Sequence, residues 1–440
     1  MGFPDEASGP YEAVGHFPLS HNQKDFWFLH HNAPHSAAFN DAVTMRIRSR
    51  VDVPALRRAC RALAERHPVL RTVFPVHNGA PVQFVHEPAD VCFEELDAAG
   101  CDEDELRRRV IQAHQRPFDL ELGPVWRASL FRRADADYVL LLTIHEIACD
   151  AWSCGIILQE LGELYAAEAQ AAVPDPPGGN SSRANLPPSA PYTDYTRWQH
   201  KRLAGAAGER SRSYWRQRLS DAFEDSQSLA LPTDRPLPAV RTYRGASHGF
   251  RLEAELIGQL RSLAEAEQAT LFTTLLTAYQ VLLARCTGQT RVPIGVPMSG
   301  RSRSEFYCTV GNVMNPVIVN ADISNQPTFR EFLAHIKQLV RGGLMHQDFP
   351  FSEAIKQAQS QLDHNNPSAA HVFFNMPLSP RFKQFAPVFW PQQTSTPLDW
   401  GGLAIEPFVI PQQEGQFLLG FDIWEASEAC LVSEIGRAHV

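Results

Sequence analysis

Residues Ile144 to Ser153 (I-H-E-I-A-C-D-A-W-S) bring an imidazole, two carboxyls and a thiol together between a continuous apolar run and an amphipathic stretch. His145 and Glu146 are groups that could take a proton from a nucleophile or orient it, and Cys149 beside His145 could itself attack a carbonyl. Asp150 could cap a helix or pair with a cation. Tyr138 to Ile144 (Y-V-L-L-L-T-I), preceded by a turn at Ala134 to Asp137, is short and uniformly apolar, which predicts a buried central strand. After it, with Asp150 or Ser153 as cap, Ile156, Ile157, Leu161, Leu164 and Tyr165 share one helix face. A strand ending in His-Glu, a turn and a helix set polar groups at the mouth of a core, where a reactant can reach them.

Each group also has a purely structural reading. His145 can hold the turn by hydrogen bonding. A carboxylate at the end of a buried strand costs on the order of several kcal/mol if ionised and unpaired, so Glu146 is expected to be paired, protonated or solvated in a cavity. Cys149 can be a packing thiol. His145, Glu146 and Cys149 spell H-E-x-x-C, an echo of zinc-protease helices, but the strand before them and the lack of a third ligand argue against it. No metal is expected.

A chain of 440 residues with 44% hydrophobic side chains predicts two lobes. A net charge of -9 without a long basic run gives no reason to expect nucleic acid. The sequence shows neither a bilayer-length apolar run nor a signal peptide, so a cytoplasmic protein with no membrane partner, and a monomer, is expected. Eight cysteines without a C-x-x-C pair read as reduced thiols.

The first lobe is placed at 1–172. It has a helix capped by Ser20, a second capped by Asp52 with Pro54 in its first turn, and a charged helix at Asp102 to Gln115. Its strands are expected at Val69 to Phe74, Pro81 to His86, Val91 to Leu96 and Val125 to Phe131. Residues 173–191, rich in Pro, Gly and Ser, form the linker. The second lobe, 192–440, opens with one long helix at Thr193 to Leu219. Strands follow at Ser247 to Leu252, Arg291 to Val296, Val313 to Ala321, His371 to Met376 and Gln416 to Trp424. Helices are expected at Leu256 to Glu267, Thr270 to Thr287, Phe329 to Arg341 and Phe351 to Gln361. Ala426 to Val440 is expected to add no further strand, and the C-terminus reads as cut short.

On these residues the chain resembles condensation domains of nonribosomal peptide synthetases, relatives of chloramphenicol acetyltransferase. The central turn is similar to the family's H-H-x-x-x-D-G motif. Ser20 to Leu29, Arg66 to Phe74 (R-H-P-V-L-R-T-V-F), Pro117 to Pro124, Tyr192 to Trp198, Gly295 to Arg301 (G-V-P-M-S-G-R), Val310 to Asn315 (V-G-N-V-M-N) and His346 to Phe351 resemble further family motifs, in the family's order. The resemblance implies a mixed α/β (α+β) fold of two acetyltransferase-like lobes in a V-shaped pseudo-dimer with a central tunnel. Donor and acceptor peptidyl or acyl carrier proteins would enter it with phosphopantetheine arms, with no cofactor bound directly. His145 and Glu146 would be catalytic, while Asp150 and Arg301 would form a structural pair. Cys149, Ala151, Trp152, Ser299, Asn315 and the segment Gln412 to Gln416 are candidates for lining the tunnel.

The motif departs from the family's at two positions: Glu146 replaces the second histidine and Ala151 the glycine. An ionised carboxylate is a weaker base than imidazole and repels an oxyanion, whereas burial raises its pKa toward a useful range. His364 to Ser368 only weakly resembles the family's last motif. Two functions follow as expectations. One is a condensation-type acyltransferase that forms or modifies an amide or ester on carrier-bound thioesters. The other is an inactive condensation-like domain that binds carrier proteins and recruits a tailoring enzyme.

Overall fold

The computed structural model describes residues 15–88, 91–171, 186–223, 231–232, 243–359, 372–376, 380–389, 397–411, 414–425 and 430–437. Most of the expected linker, and His364 to Ser368, lie outside these residues. The apolar run forms the central strand Asp137–His145, buried from Tyr138 onward. On one side it pairs antiparallel with Trp126–Ala134, and on the other with Asn40–Ile47, a strand the sequence reading did not identify. The sheet runs Leu398–Trp400, Leu403–Pro407, Asn40–Ile47, Asp137–His145, Trp126–Ala134, Phe93–Asp97. Its first two strands come from the far end of the chain, so a boundary at residue 192 divides the sequence but not this sheet.

A second six-stranded sheet runs Asn315–Val319, Ile294–Met298, Val372–Asn375, Leu419–Glu425, Cys430–Arg437, Gly245–Leu252. Contrary to the expectation for the C-terminal stretch, Cys430–Arg437 is a full strand, paired antiparallel with both Leu419–Glu425 and Gly245–Leu252. Each large sheet contributes to its own main apolar core.

Two other local expectations change. Val69 to Phe74 begins as a short 3-10 helix, Pro68–Arg71, and only Thr72–Val73 is strand. Pro68 has a fixed φ suited to a helical start and no N–H to give a ladder, and Leu70 N–H donates instead to His67 O at 3.0 Å. The long helix at Thr193 to Leu219 is two helices, Tyr192–Ala204 and Ala206–Phe223, separated at Gly205.

The helix Ala151–Ala171 packs on the first sheet and is locked at mid-length. Glu160, buried on it, accepts from Arg66 Nε at 2.8 Å and contacts His67 Nε2 at 2.7 Å. The R-H-P stretch thus fastens the end of helix Val53–Arg66 to the central helix. From the other side Trp400 Nε1 donates to Leu158 O at 2.7 Å, and its ring stacks on Tyr165. An added Cβ at Gly162 would lie 2.7 Å from that Nε1, so the helix carries a glycine where the indole approaches.

Trp400→Ala is expected to cost about 3–5 kcal/mol in urea unfolding, and Trp400→Phe less, because the ring packing survives. An alanine variant within about 0.5 kcal/mol of the native protein would show that the C-terminal strands do not support the first core.

Candidate functional site

The turn after the central strand is held by a buried ion pair. Asp150 and Arg301 have no exposed side-chain surface, and their two carboxylate–guanidinium bonds measure 2.8 and 3.1 Å. Asp150 also accepts from the backbone N–H of Ser153 at 2.8 Å, Val313 at 3.0 Å and Met314 at 2.9 Å. Burial pushes its carboxyl up, but Arg301 and these donors more than offset that and leave it below the usual carboxylate range. Arg301 donates further to Ser299 O, Ser153 Oγ and Thr309 O, at 3.2, 3.0 and 3.1 Å, while its Nε has no partner among the described residues. Asp150 is therefore both the cap of the central helix and the anchor of the loop that leads into strand Asn315–Val319.

That loop is fixed from several directions. Ser153 Oγ accepts from Gly311 N–H at 3.1 Å, and Tyr192 Oη donates to Asn312 O at 2.6 Å. Asn22 Nδ2 donates to Met314 O at 2.6 Å. Ser20, whose Oγ lies 2.8 Å from Tyr192 Oη, forms a capping box with Gln23. Gly311 has φ of +149°, and a Cβ there would fall 1.9 Å from the Tyr192 ring. Only glycine fits.

With position 150 pinned, the two preceding polar residues face opposite ways. His145 is 1% exposed and points into the core. Its ring stands edge-on to those of His30 at 5.2 Å and Phe118 at 6.0 Å. Ile147 N–H donates to its Nδ1 at 3.0 Å, which assigns the proton to Nε2, an atom with no partner among the described residues. Burial, with a smaller contribution from His30, pushes its pKa down to about 3. The ring is neutral.

Glu146 instead lines a cavity of about 350 Å³ together with residues of both halves. Its Oε1 accepts from Gln416 Nε2, and its backbone O from Asn312 Nδ2 at 2.7 Å. Burial first, and then the charge of Asp41, raise its pKa well above the ordinary value, against the donation from Gln416. Asp41 and Asp422 share the cavity wall. Burial, reinforced by Asp150 and Asp422, raises Asp41 to about 7. Burial raises Asp422 to about 6 although Asn375 Nδ2 donates to it at 2.9 Å. Burial in this cavity therefore shifts Glu146, Asp41 and Asp422 toward the carboxylic acid form, and a protonated Glu146 is a hydrogen-bond donor.

Of the other sequence-derived candidates, Cys149, Ala151, Asn315 and Gln416 line this cavity. Asn315 is also a buried brace, donating to Gln347 O and Phe349 O at 2.7 Å each. Trp152 and Ser299 are not among the lining residues. Trp152 Nε1 donates to Tyr307 O at 3.0 Å, and Ser299 O serves Arg301. Asp41, Asp422 and Asn312 were missed as individual site residues. The polar start of N-D-A-V-T-M-R-I, ahead of its alternating apolar positions, is the signal that could have flagged Asp41. Among the described residues no single helix is long and apolar enough to cross a membrane.

The family model described as "Condensation domain" matches residues 13–433. The chain is 37% identical over 353 residues to a linear gramicidin synthase of Brevibacillus parabrevis, covering 79% of this chain but only 7% of that protein. It therefore spans less than a tenth of that relative's length. Among solved structures it superposes on a four-domain nonribosomal peptide synthetase bound to AMP and glycine with a TM-score of 0.85, at 22% identity over 97% of this chain and 31% of that one. The complex of the X-domain and OxyB from teicoplanin biosynthesis gives 0.77, at 25% identity over 100% of this chain and 91% of the matched one. The fold is the two-lobed, chloramphenicol acetyltransferase-like pseudo-dimer.

The cavity carboxyls carry a pH signature. Because the folded-state pKa of Asp422 lies above its unfolded value, its contribution to stability is present below about pH 4. It is lost as the pH rises through about 6. In urea unfolding Asp422→Asn should match the native stability near about pH 4 and exceed it at about pH 8, by on the order of 1–3 kcal/mol. A difference that does not change with pH would refute the assignment.

Proposed function

This chain belongs to the condensation-domain family, and on that premise we propose that it is an acyltransferase acting on carrier-bound thioesters, with the Glu146 carboxyl as its working polar group. The observation that supports this is the opposite facing of the motif pair: Glu146 lies on the cavity wall while His145 is sealed in the core. In the reaction a neutral acceptor amine, or a hydroxyl, attacks the carbonyl carbon of a donor thioester. The new C–N or C–O bond forms, the C–S bond breaks, and the pantetheine thiol leaves with the proton lost by the nucleophile. A protonated Glu146 donates to the carbonyl oxygen as charge develops there, and proton-transfer groups of this kind contribute about 10²–10⁴ in rate. Asp150 and Arg301 touch no reacting atom in this scheme. They position the turn.

The partners that fit are donor and acceptor carrier proteins, each presenting its substrate on a phosphopantetheine arm, and the chain itself needs no resident cofactor. The test mixes a donor-loaded and an acceptor-loaded carrier with the protein and follows the masses of the intact carriers. Condensed product above a protein-free control is expected from the native chain, falling about 10²–10³-fold in Glu146→Ala, which removes the donor. Product that survives Glu146→Ala at full rate would remove Glu146 from the chemistry. No product from the native chain, together with capture of a carrier or of a tailoring enzyme, would favour the platform reading; the structurally similar X-domain from teicoplanin biosynthesis is itself solved in complex with a second protein, OxyB.

A further inference from the structure

Three groups that the proposed acyl transfer does not use meet beside the cavity. Cys149 directly precedes the motif aspartate, and Cys154 lies at the start of the central helix; both are buried, with their Sγ atoms 3.4 Å apart. Asp41 arrives from the neighbouring strand, where pairing sets it opposite Ile144. A carboxylate oxygen of Asp41 and the two sulfurs all lie within 4.8 Å of one another.

Two thiolates on a tetrahedral ion, with metal–sulfur bonds of about 2.3 Å, stand roughly 3.7–3.8 Å apart. The thiols need to move by only a few tenths of an ångström to reach that spacing. A disulfide would need them at about 2.05 Å, a much larger closure. Asp41 and Cys149 line the cavity, so an ion held by this trio would keep an open side.

We propose that Asp41, Cys149 and Cys154 form a site for a thiophilic divalent cation of the zinc class, with its fourth coordination position open to the cavity. Sulfur ligands select such ions over magnesium or calcium. Binding releases both thiol protons to solvent, and the Asp41 proton where one is held. The ion with two thiolates and a carboxylate carries a net charge of -1, and affinity therefore rises with pH. The sequence reading expected no metal because it found no third ligand beside His145 and Cys149. His145 takes no part, and strand pairing supplies Asp41.

The test titrates the reduced, metal-free full chain with cobalt(II) and reads the thiolate-to-cobalt charge-transfer absorption, followed by displacement with zinc. One equivalent should bind, with affinity rising between about pH 6 and 8. The Cys149→Ser/Cys154→Ser double variant should lose the band, and Asp41→Asn should weaken binding about 10-fold or more. Replacing the exposed Cys286 with serine should change nothing. If the double variant does not fold, Asp41→Asn, which keeps both thiols, carries the test. A band that survives the double variant, affinity unchanged by Asp41→Asn, or a reduced protein that gives no band would overturn the site. So would recovery of only a Cys149–Cys154 disulfide that takes up no ion after reduction.

Discussion

The structure depends on a carboxylate and a guanidinium taken wholly out of water. A buried ion pair gains little unless its remaining lone pairs and N–H groups are also met. Here they largely are: Asp150 accepts from three backbone amides besides Arg301, and Arg301 reaches two backbone carbonyls and Ser153. Arg301 and the amides of the 311–314 loop lie 151 positions and more from Asp150 in the chain. Satisfying one pair therefore fixes the central helix, the loop at residues 311–314 and the start of a second-sheet strand against one another.

The site's asymmetry follows from that constraint. Once Asp150 is pinned at the helix start, the short 3-10 turn Glu146–Ala148 leaves no freedom for both His145 and Glu146 to face the same side. One goes inward, where burial keeps it neutral; the other meets the cavity, where burial favours its protonated form. The surrounding motif residues serve the same arrangement. Ser20, Asn22 and Tyr192 hold the loop whose Asn312 binds the Glu146 carbonyl, and Arg66 and His67 brace the helix through Glu160.

Much of this was legible in the sequence, because it depends on local pattern. The apolar run, the Ser20 and Asp52 caps and the alternation of strands and helices are short-range signals, and the ordered motifs pointed to the family. What was not legible depends on distance or context. Leu398–Trp400 and Leu403–Pro407 pair in the first sheet although they lie far along the chain, and no periodicity announces which sheet a strand joins. Asp41 becomes a site residue only through its register against Ile144. The motif His-Glu pair gives no hint of which member faces the reactants, because adjacent residues at a strand end are divided by the turn that follows. Gly205, read as continuing a helix, breaks it.

The most direct measurement is a nitrogen-15 NMR titration of the His145 ring in the full chain, assigned with a His145→Asn variant. A ring that stays neutral with its proton on Nε2 from about pH 5 to 8 is the result this account predicts, since an unperturbed imidazole would titrate near about 6.5. A His145 that becomes imidazolium within that window would place it in contact with solvent or reactants. That result would contradict the division of the motif into one buried histidine and one working carboxyl.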